Sequence, residues 1–298
     1  MALPSYATPV QRTYYYTYLF FCGVVFFFLI APLIAIIPIS FSVSPFMVFT
    51  DEMLTWPPDP DAWSLRWYKN MIGNCSADVV SSTVPCSNKW MIGTVNSFFI
   101  GFVATFIATT LGTLAALGLS RPHMPYKGLI MAILISPMIV PLIITAAGMF
   151  FFYARINLVY SFTGIILAHV ALATPFVVIT VTATLVGFDM NMVKASQSLG
   201  ARPVRTFFKV IMPLILPGVI SGALFAFITS FDEVVIVMFM ASLDQLTIPK
   251  QMWAGIRQEI SPVILGMATW LVILSILLLT TVELLRRRSE KLRGIKSR

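Results

Sequence analysis

Asp232 and Glu233 stand side by side in a run, 210–242, that is otherwise without charge. Two carboxylates in so apolar a stretch have two chemistries open to them. They can form a buried ion pair or hydrogen-bonded network, or they can line a wet cavity and meet a cation in transit, as acids inside membrane segments commonly do. Adjacent helical positions point about 100° apart. The expectation is therefore that Asp232 lines a pathway while Glu233 turns to a neighbouring helix or a partner. Ser230 and Phe231, which precede the pair, and Trp253, in the next connection, are lesser candidates for the pathway; an aromatic face attracts an ammonium by about 0.5–2 kcal/mol. Nothing else in the sequence assembles a reaction centre. His123 and His169 are isolated, no Cys/His spacing fits a metal, and no Gly-Lys dipeptide is present to build the phosphate-cradling loop Gly-x-x-x-x-Gly-Lys-[Ser/Thr]. Neither a catalytic residue nor a metal ligand is expected, and His169 reads as a hydrogen-bonded helix-packing residue.

The elements that must hold the acids are membrane helices. Of 298 residues, 58% are hydrophobic and 11% charged, less than half the charge of about 25% that soluble domains carry. Soluble enzyme, secreted disulfide scaffold and disordered chain are excluded. A span needs about 20 apolar residues, and six uncharged or nearly uncharged runs satisfy that: 13–50, 90–120, 128–154, 156–188, 210–242 (interrupted by the two acids) and 260–282. The first is much longer than the core of about 7–15 residues of a cleavable signal and reads as a retained helix. Pro137, Pro141, Pro175 and Pro217 fall in or near spans, which should be kinked. The net charge of +8 could point to nucleic acid, but its distribution is that of a topology signal. Most of the Lys and Arg, including Arg12, Lys194, Arg202, Arg205, Lys209 and the tail RRRSEKLRGIKSR, fall on one side. The positive-inside rule puts that side, and both termini, in the cytoplasm. The loops at 50–89 and 241–260 then face outward. Cys75 and Cys86 share the first of them, where a bridge would contribute about 3 kcal/mol; two free thiols are the alternative. Cys22 reads as an inert packing residue.

Between the fourth and fifth runs the chain reads DMNMVKASQSLGARP. Asp189 suits a helix N-cap, Gly200 a left-handed helix exit and Pro203 the first turn of the next helix. Helix, glycine break, helix is the expected pattern, near 189–200. Val193, Gln197 and Gly200 share a stripe, and Ala195 and Ser196 leave low-profile surface on which another protein could dock.

The stretch KASQSLGARPVRTFFKVIMPLILPG, 194–218, resembles the coupling-loop motif of the membrane-spanning subunits of bacterial ATP-binding-cassette (ABC) importers. That pattern is Glu-Ala-Ala, three residues, Gly, then Leu-Pro and Pro-Gly, matched here by Lys194-Ala195-Ser196, Gly200, Met212-Pro213 and Pro217-Gly218. Lys194 replaces the usual acid and Ser196 the second alanine, so any ion pair made by the family at the first position is absent or inverted. SLRWYKNMI, SPMIVPLIITAAGMFFFYA, TPFVVITVTATLVGFDMN, SFDEVVIVMFM and LTIPKQMWAGIRQEISPVI narrow the resemblance to the spermidine/putrescine permease subfamily, over most of 64–285. The resemblance implies an all-α membrane protein with six transmembrane helices in the type I ABC importer permease fold. Its expected parts are an N-terminal segment, first helix and outer loop (1–92), a five-helix core (93–285) and a basic tail (286–298). It implies a bacterial inner-membrane permease that moves a polyamine or a related cationic amino compound by alternating access. Coupling to a separate ATPase would run through Lys194, Ala195, Ser196, Gln197, Leu199, Gly200, Ala201 and Pro203. The implied partners are a second, similar permease, two ATPase subunits that bind ATP and Mg, and a periplasmic binding protein; this chain needs no cofactor and contacts no nucleic acid. An importer of opines or other amino compounds is the nearest alternative. An ion-gradient-driven secondary transporter would explain the acids but not the coupling segment, and a membrane-embedded enzyme finds little support in two isolated histidines.

Overall fold

The computed structural model describes residues 8–57, 59–73, 88–121, 123–186, 188–189, 191–258 and 261–292. The described residues are mostly helical, with a single isolated bridge, Ser42 to Trp63. In chain order the α-helices are α1 (Pro9–Ile39), α2 (Asp51–Leu54), α3 (Arg66–Met71), α4 (Lys89–Leu119), α5 (Lys127–Ile139), α6 (Leu142–Arg155), α7 (Phe162–Val186), α8 (Asn191–Ser198), α9 (Pro203–Thr206), α10 (Met212–Phe231), α11 (Val235–Met240), α12 (Ile248–Gln258) and α13 (Val263–Leu292). A π-helical stretch, Phe207–Ile211, joins α9 to α10, so 203–231 runs as one rod. Among the described residues, five helices are long and apolar enough to cross a membrane, and the bent pair α5 and α6 makes a sixth if counted as one span.

The chain divides into two units, 1–87 with 255–298, and 88–254. In the first, α1 opens with a capping box between Thr8 and Gln11 and buries none of its residues within the chain, as expected of a helix whose solvent is lipid or a partner. It ends at Ile39, well short of the apolar run to residue 50. The reason is ISFSVSP: Ser42 and Ser44 hydroxyls accept from the Ser44 and Phe46 N–H groups, and such local bonds compete with helix. The segment 62–71 folds back onto this end. Tyr68 and Ser40 share a hydrogen bond of 2.7 Å, and the buried Trp67 Nε1 donates to the Ser42 carbonyl at 2.7 Å. α1 and α3 both pack on α13.

In the second unit α4, α7 and α10 pack as a close triad. Without a hydrophobic drive between helices in lipid, close approach depends on small residues. Ser97, Gly101, Ala104, Ala108, Gly112 and Ala116 recur at three and four positions along α4 and are all buried. A Cβ at Gly112 would stand 2.7 Å from that of Val177, and one at Gly222 would meet Thr180 Oγ1 and stand 3.0 Å from Val177 Cα.

Two further spans differ from the sequence expectation. The third is not a gently kinked helix: α5 and α6 meet at 102°. Val140, held extended (φ −71°, ψ 137°) as residues before proline are, makes the break, while Pro137, Pro175 and Pro217 stay inside continuous helices. The fifth breaks at the acids, so Asp232 and Glu233 lie between two helices and not on one.

Candidate translocation site and coupling segment

α10 stops at Phe231, and Asp232 is its C-cap, with its N–H donating to the Ile228 carbonyl at 3.0 Å. Glu233 is 6% exposed, and its Oε1 accepts from the Ile236 N–H at 2.9 Å. That carboxylate therefore sits at the N-terminus of α11, where orphan N–H groups and the positive dipole end favour an anion. At the other end of α11, Lys250 Nζ donates to the Val237 and Ala241 carbonyls at 3.1 and 3.4 Å. Partial burial on α12 lowers the Lys250 pKa from 10.5. A six-residue helix is thus held by opposite charges matched to its dipole. Asp232, by contrast, is exposed.

A cavity of about 400 Å³ opens at this break, lined by Leu142, Ile228, Thr229, Asp232, Glu233, Val234 and Val235. Leu142 is the first residue of α6 after the 102° bend, so two helix breaks meet at one space. The acids are brought together there; the other three pathway candidates are elsewhere. Ser230 Oγ lies 2.8 Å from His169 Nδ1, in the buried contact of α10 with α7. Phe231 packs with Phe98 and Phe227, at ring-centroid distances of 5.3 and 5.4 Å. Trp253 is on α12, 48% exposed, and does not line the cavity. Sequence reasoning missed Leu142, Thr229 and Lys250; Val140-Pro141 was the available signal for the first, and no local pattern marks the others.

The segment 189–203 has the expected local chemistry. Asp189 Oδ1 accepts from the Asn191 N–H at 2.9 Å, and α8 follows. It closes with the Gly200 N–H on the Gln197 carbonyl (2.9 Å) and the Ala201 N–H on the Ser196 carbonyl (3.1 Å), the paired bonds of a Schellman exit, with Gly200 at φ +78° as that motif demands. Pro203 opens α9. The Ser196 and Thr206 hydroxyls bond across the glycine at 2.9 Å, tying α8 to the rod. Met192, Ala195, Ser196, Leu199, Gly200, Ala201, Arg205, Lys209 and Val210 border a cavity of about 520 Å³. Lys194, Gln197 and Leu199 are exposed, Leu199 to 88%. On the expected stripe, Val193 is half-buried while Gln197 and Gly200 face outward.

Cys75 and Cys86 lie outside the described residues. Cys22 is a free, half-buried thiol. Among the described residues, His, Cys, Asp and Glu side chains form no cluster able to hold a metal.

Residues 108–292 match the family of binding-protein-dependent transport system inner membrane components. The chain belongs to that family. It is a multi-pass inner-membrane permease subunit of a bacterial ABC importer. The permease is 28% identical to the spermidine/putrescine transport system permease protein PotC of Haemophilus influenzae, over 90% of this chain and 96% of that protein. It is also 28% identical to the putrescine transport system permease protein PotI of Escherichia coli, over 82% of this chain and 81% of that protein. Among solved structures it is similar to a bacterial ABC transporter involved in the import of the acidic polysaccharide alginate (TM-score 0.72, 13% identity, 94% of this chain and 99% of that chain). It is also similar to an inward-facing form of the MetNI methionine ABC transporter (TM-score 0.52, 20% identity, 73% of this chain and 100% of that chain). At these identities the likeness is one of fold.

Proposed function

We propose that this permease subunit passes a polyamine, spermidine or putrescine, along a pathway bordered by Asp232. The observation that carries the reading is the charge of the cavity at the helix break. Ile228 and Thr229 of the last turn of α10 line it together with both acids, and among the described residues no Lys, Arg or His does. The carbonyls of a terminating helix and the negative end of its dipole add to the carboxylates, an arrangement by which transporters coordinate cations at broken helices. The names of PotC and PotI support the cargo class.

Force enters at α8. The partner ATPase, which binds ATP and Mg, docks on the surface formed by Lys194, Ala195, Gln197 and Leu199. Ser196, through Thr206, and the turn of Gly200, Ala201 and Pro203 pass the displacement to the rod 203–231, 29 residues long or about 40 Å. The far end of that rod is the helix break beside Asp232. No cofactor resides in this chain. A second, similar permease closes the other half of the pathway, a periplasmic binding protein delivers cargo, and both termini face the cytoplasm.

The test is ATP-dependent uptake of labelled spermidine and putrescine by the reconstituted complex. Asp232→Asn is expected to lower uptake about tenfold or more, the equivalent of one charge-assisted contact, with the complex still assembled. Polyamine uptake unchanged in that variant would overturn the pathway role. A wild type that ignores polyamines while its ATPase responds to a different loaded binding protein would overturn the cargo and leave the importer.

A further inference from the structure

In the first third of α7, His169 is 1% exposed and bonds Ser230 through Nδ1, while its Nε2 has no hydrogen-bond partner among the described residues. Either ring tautomer leaves that second nitrogen unsatisfied, and a buried polar atom without a partner is destabilising. Leucine would fill much of the same space at no such cost. The one bond that His169 does make must therefore supply something that packing does not.

The position of Ser230 says what that is. It lies in the last turn of α10, one residue before the helix ends and two before Asp232. Phe227 and Phe231, on either side of it in the same turn, make ring contacts with Phe98 and with each other, and ring packing tolerates rotation and slip. The hydrogen bond is directional. At about 100° per residue, Ser230 and Asp232 project to nearly opposite sides of the helix, so tethering one to α7 turns the other away from α7.

We propose that His169 is a positioning residue: by bonding Ser230 it fixes the rotational setting of the last turn of α10, and with it the direction in which the Asp232 carboxylate faces the cavity. The inference rests on the reading of Asp232 as the cargo contact, and it makes His169 act on cargo affinity through a residue it does not touch.

Nδ1 and Nε2 can be told apart by substitution. The side-chain amide of asparagine reaches the place of Nδ1, and that of glutamine the place of Nε2. In the reconstituted complex, His169→Asn should keep the KM for uptake within about twofold of wild type, whereas His169→Gln and His169→Leu should raise it about tenfold, the loss of one buried hydrogen bond. A purely space-filling role would rank them the other way, since Gln and Leu replace more of the ring volume than Asn. Ser230→Ala should match His169→Leu, and the double variant should be no worse than either single one. A wild-type KM in His169→Leu, rescue by Gln and not Asn, or additive losses would each overturn the proposal. If the leucine variant fails to assemble, the Asn and Gln pair, both polar, decides alone. Asp232→Asn is run in parallel: if it leaves uptake unchanged, the cargo contact and this inference fall together, and if it abolishes uptake while His169→Gln is silent, only the positioning role falls.

Discussion

Replacing Gly200 tests the coupling segment without touching the membrane core. Its φ of +78° costs an L-residue about 1–2 kcal/mol, and an added Cβ would meet nothing within 4 Å, so the penalty is purely one of backbone. The chain has one escape, which is to unwind the last turn of α8. That gives up the Gly200 to Gln197 and Ala201 to Ser196 bonds, at about 1 kcal/mol each. Both routes lead to about the same figure, so the docked geometry of α8 becomes about 5–30-fold rarer. Valine, β-branched, belongs at the upper end, alanine at the lower, and asparagine, which tolerates left-handed backbone, close to wild type. The assay is cargo transported per ATP hydrolysed in proteoliposomes, beside the melting temperature of the detergent-solubilised complex. Gly200→Val is expected to lose most of its uptake per ATP with little change in Tm, because α8 has no buried residue. If uptake per ATP is unchanged in Gly200→Val, the turn does not transmit force. If Tm falls in step with uptake, the effect is one of folding and the coupling argument is refuted.

Gly222→Ala should destabilise the α7 and α10 contact by about 1–3 kcal/mol, the usual cost of overpacking, because the new Cβ meets backbone at Val177 and no rotamer change relieves it; Gly118→Ala, with open space around it, is the matched control in the same thermal melt. Lys250→Met should loosen α11 and lower stability by about 1 kcal/mol at neutral pH, through loss of the hydrogen bonds that Nζ donates to the Val237 and Ala241 carbonyls. Since burial lowers the Lys250 pKa below 10.5, the folded chain binds fewer protons than the unfolded one between the lowered value and 10.5, and stability there rises with pH. The advantage of wild type over Lys250→Met should therefore widen as pH climbs through that window, and a gap that shrinks would contradict the burial of the ammonium.

What the sequence made legible was local. Asp189, Gly200 and Pro203 act within a few residues of themselves, so cap, exit and restart could be placed from residue type alone, and the structure has each bond. The spans were visible because an uncharged, apolar run of about 20 residues fits a bilayer and little else. What stayed hidden depended on a partner distant in the chain. Nothing near Ser196 announces Thr206, nothing near Ser230 announces His169 on another helix, and nothing near Val237 announces Lys250. The four prolines show the same division: all of them interrupt a hydrogen bond, yet only the one whose preceding residue is extended breaks its span, and whether a neighbouring helix holds the others straight is a matter of packing.

Ser230 marks where local reasoning could have gone further. Its nearness to Asp232 in sequence placed it in the pathway, but two helical steps carry it to the opposite side of α10. The same periodicity that separates Ser230 from the cavity gives it to α7, and the break that follows turns Asp232 and Glu233 to different work. Glu233 holds the start of α11, and its buried oxygen serves an N–H group that would otherwise be orphaned. Asp232 ends α10 with its side chain exposed, in the cavity that the bend between α5 and α6 also borders. A pathway acid must stay hydrated enough to exchange one cation for the next, and of the pair only Asp232 meets that condition. Glu233→Gln, which keeps an oxygen for the Ile236 N–H, should accordingly cost uptake less than Asp232→Asn; the reverse order would exchange their roles.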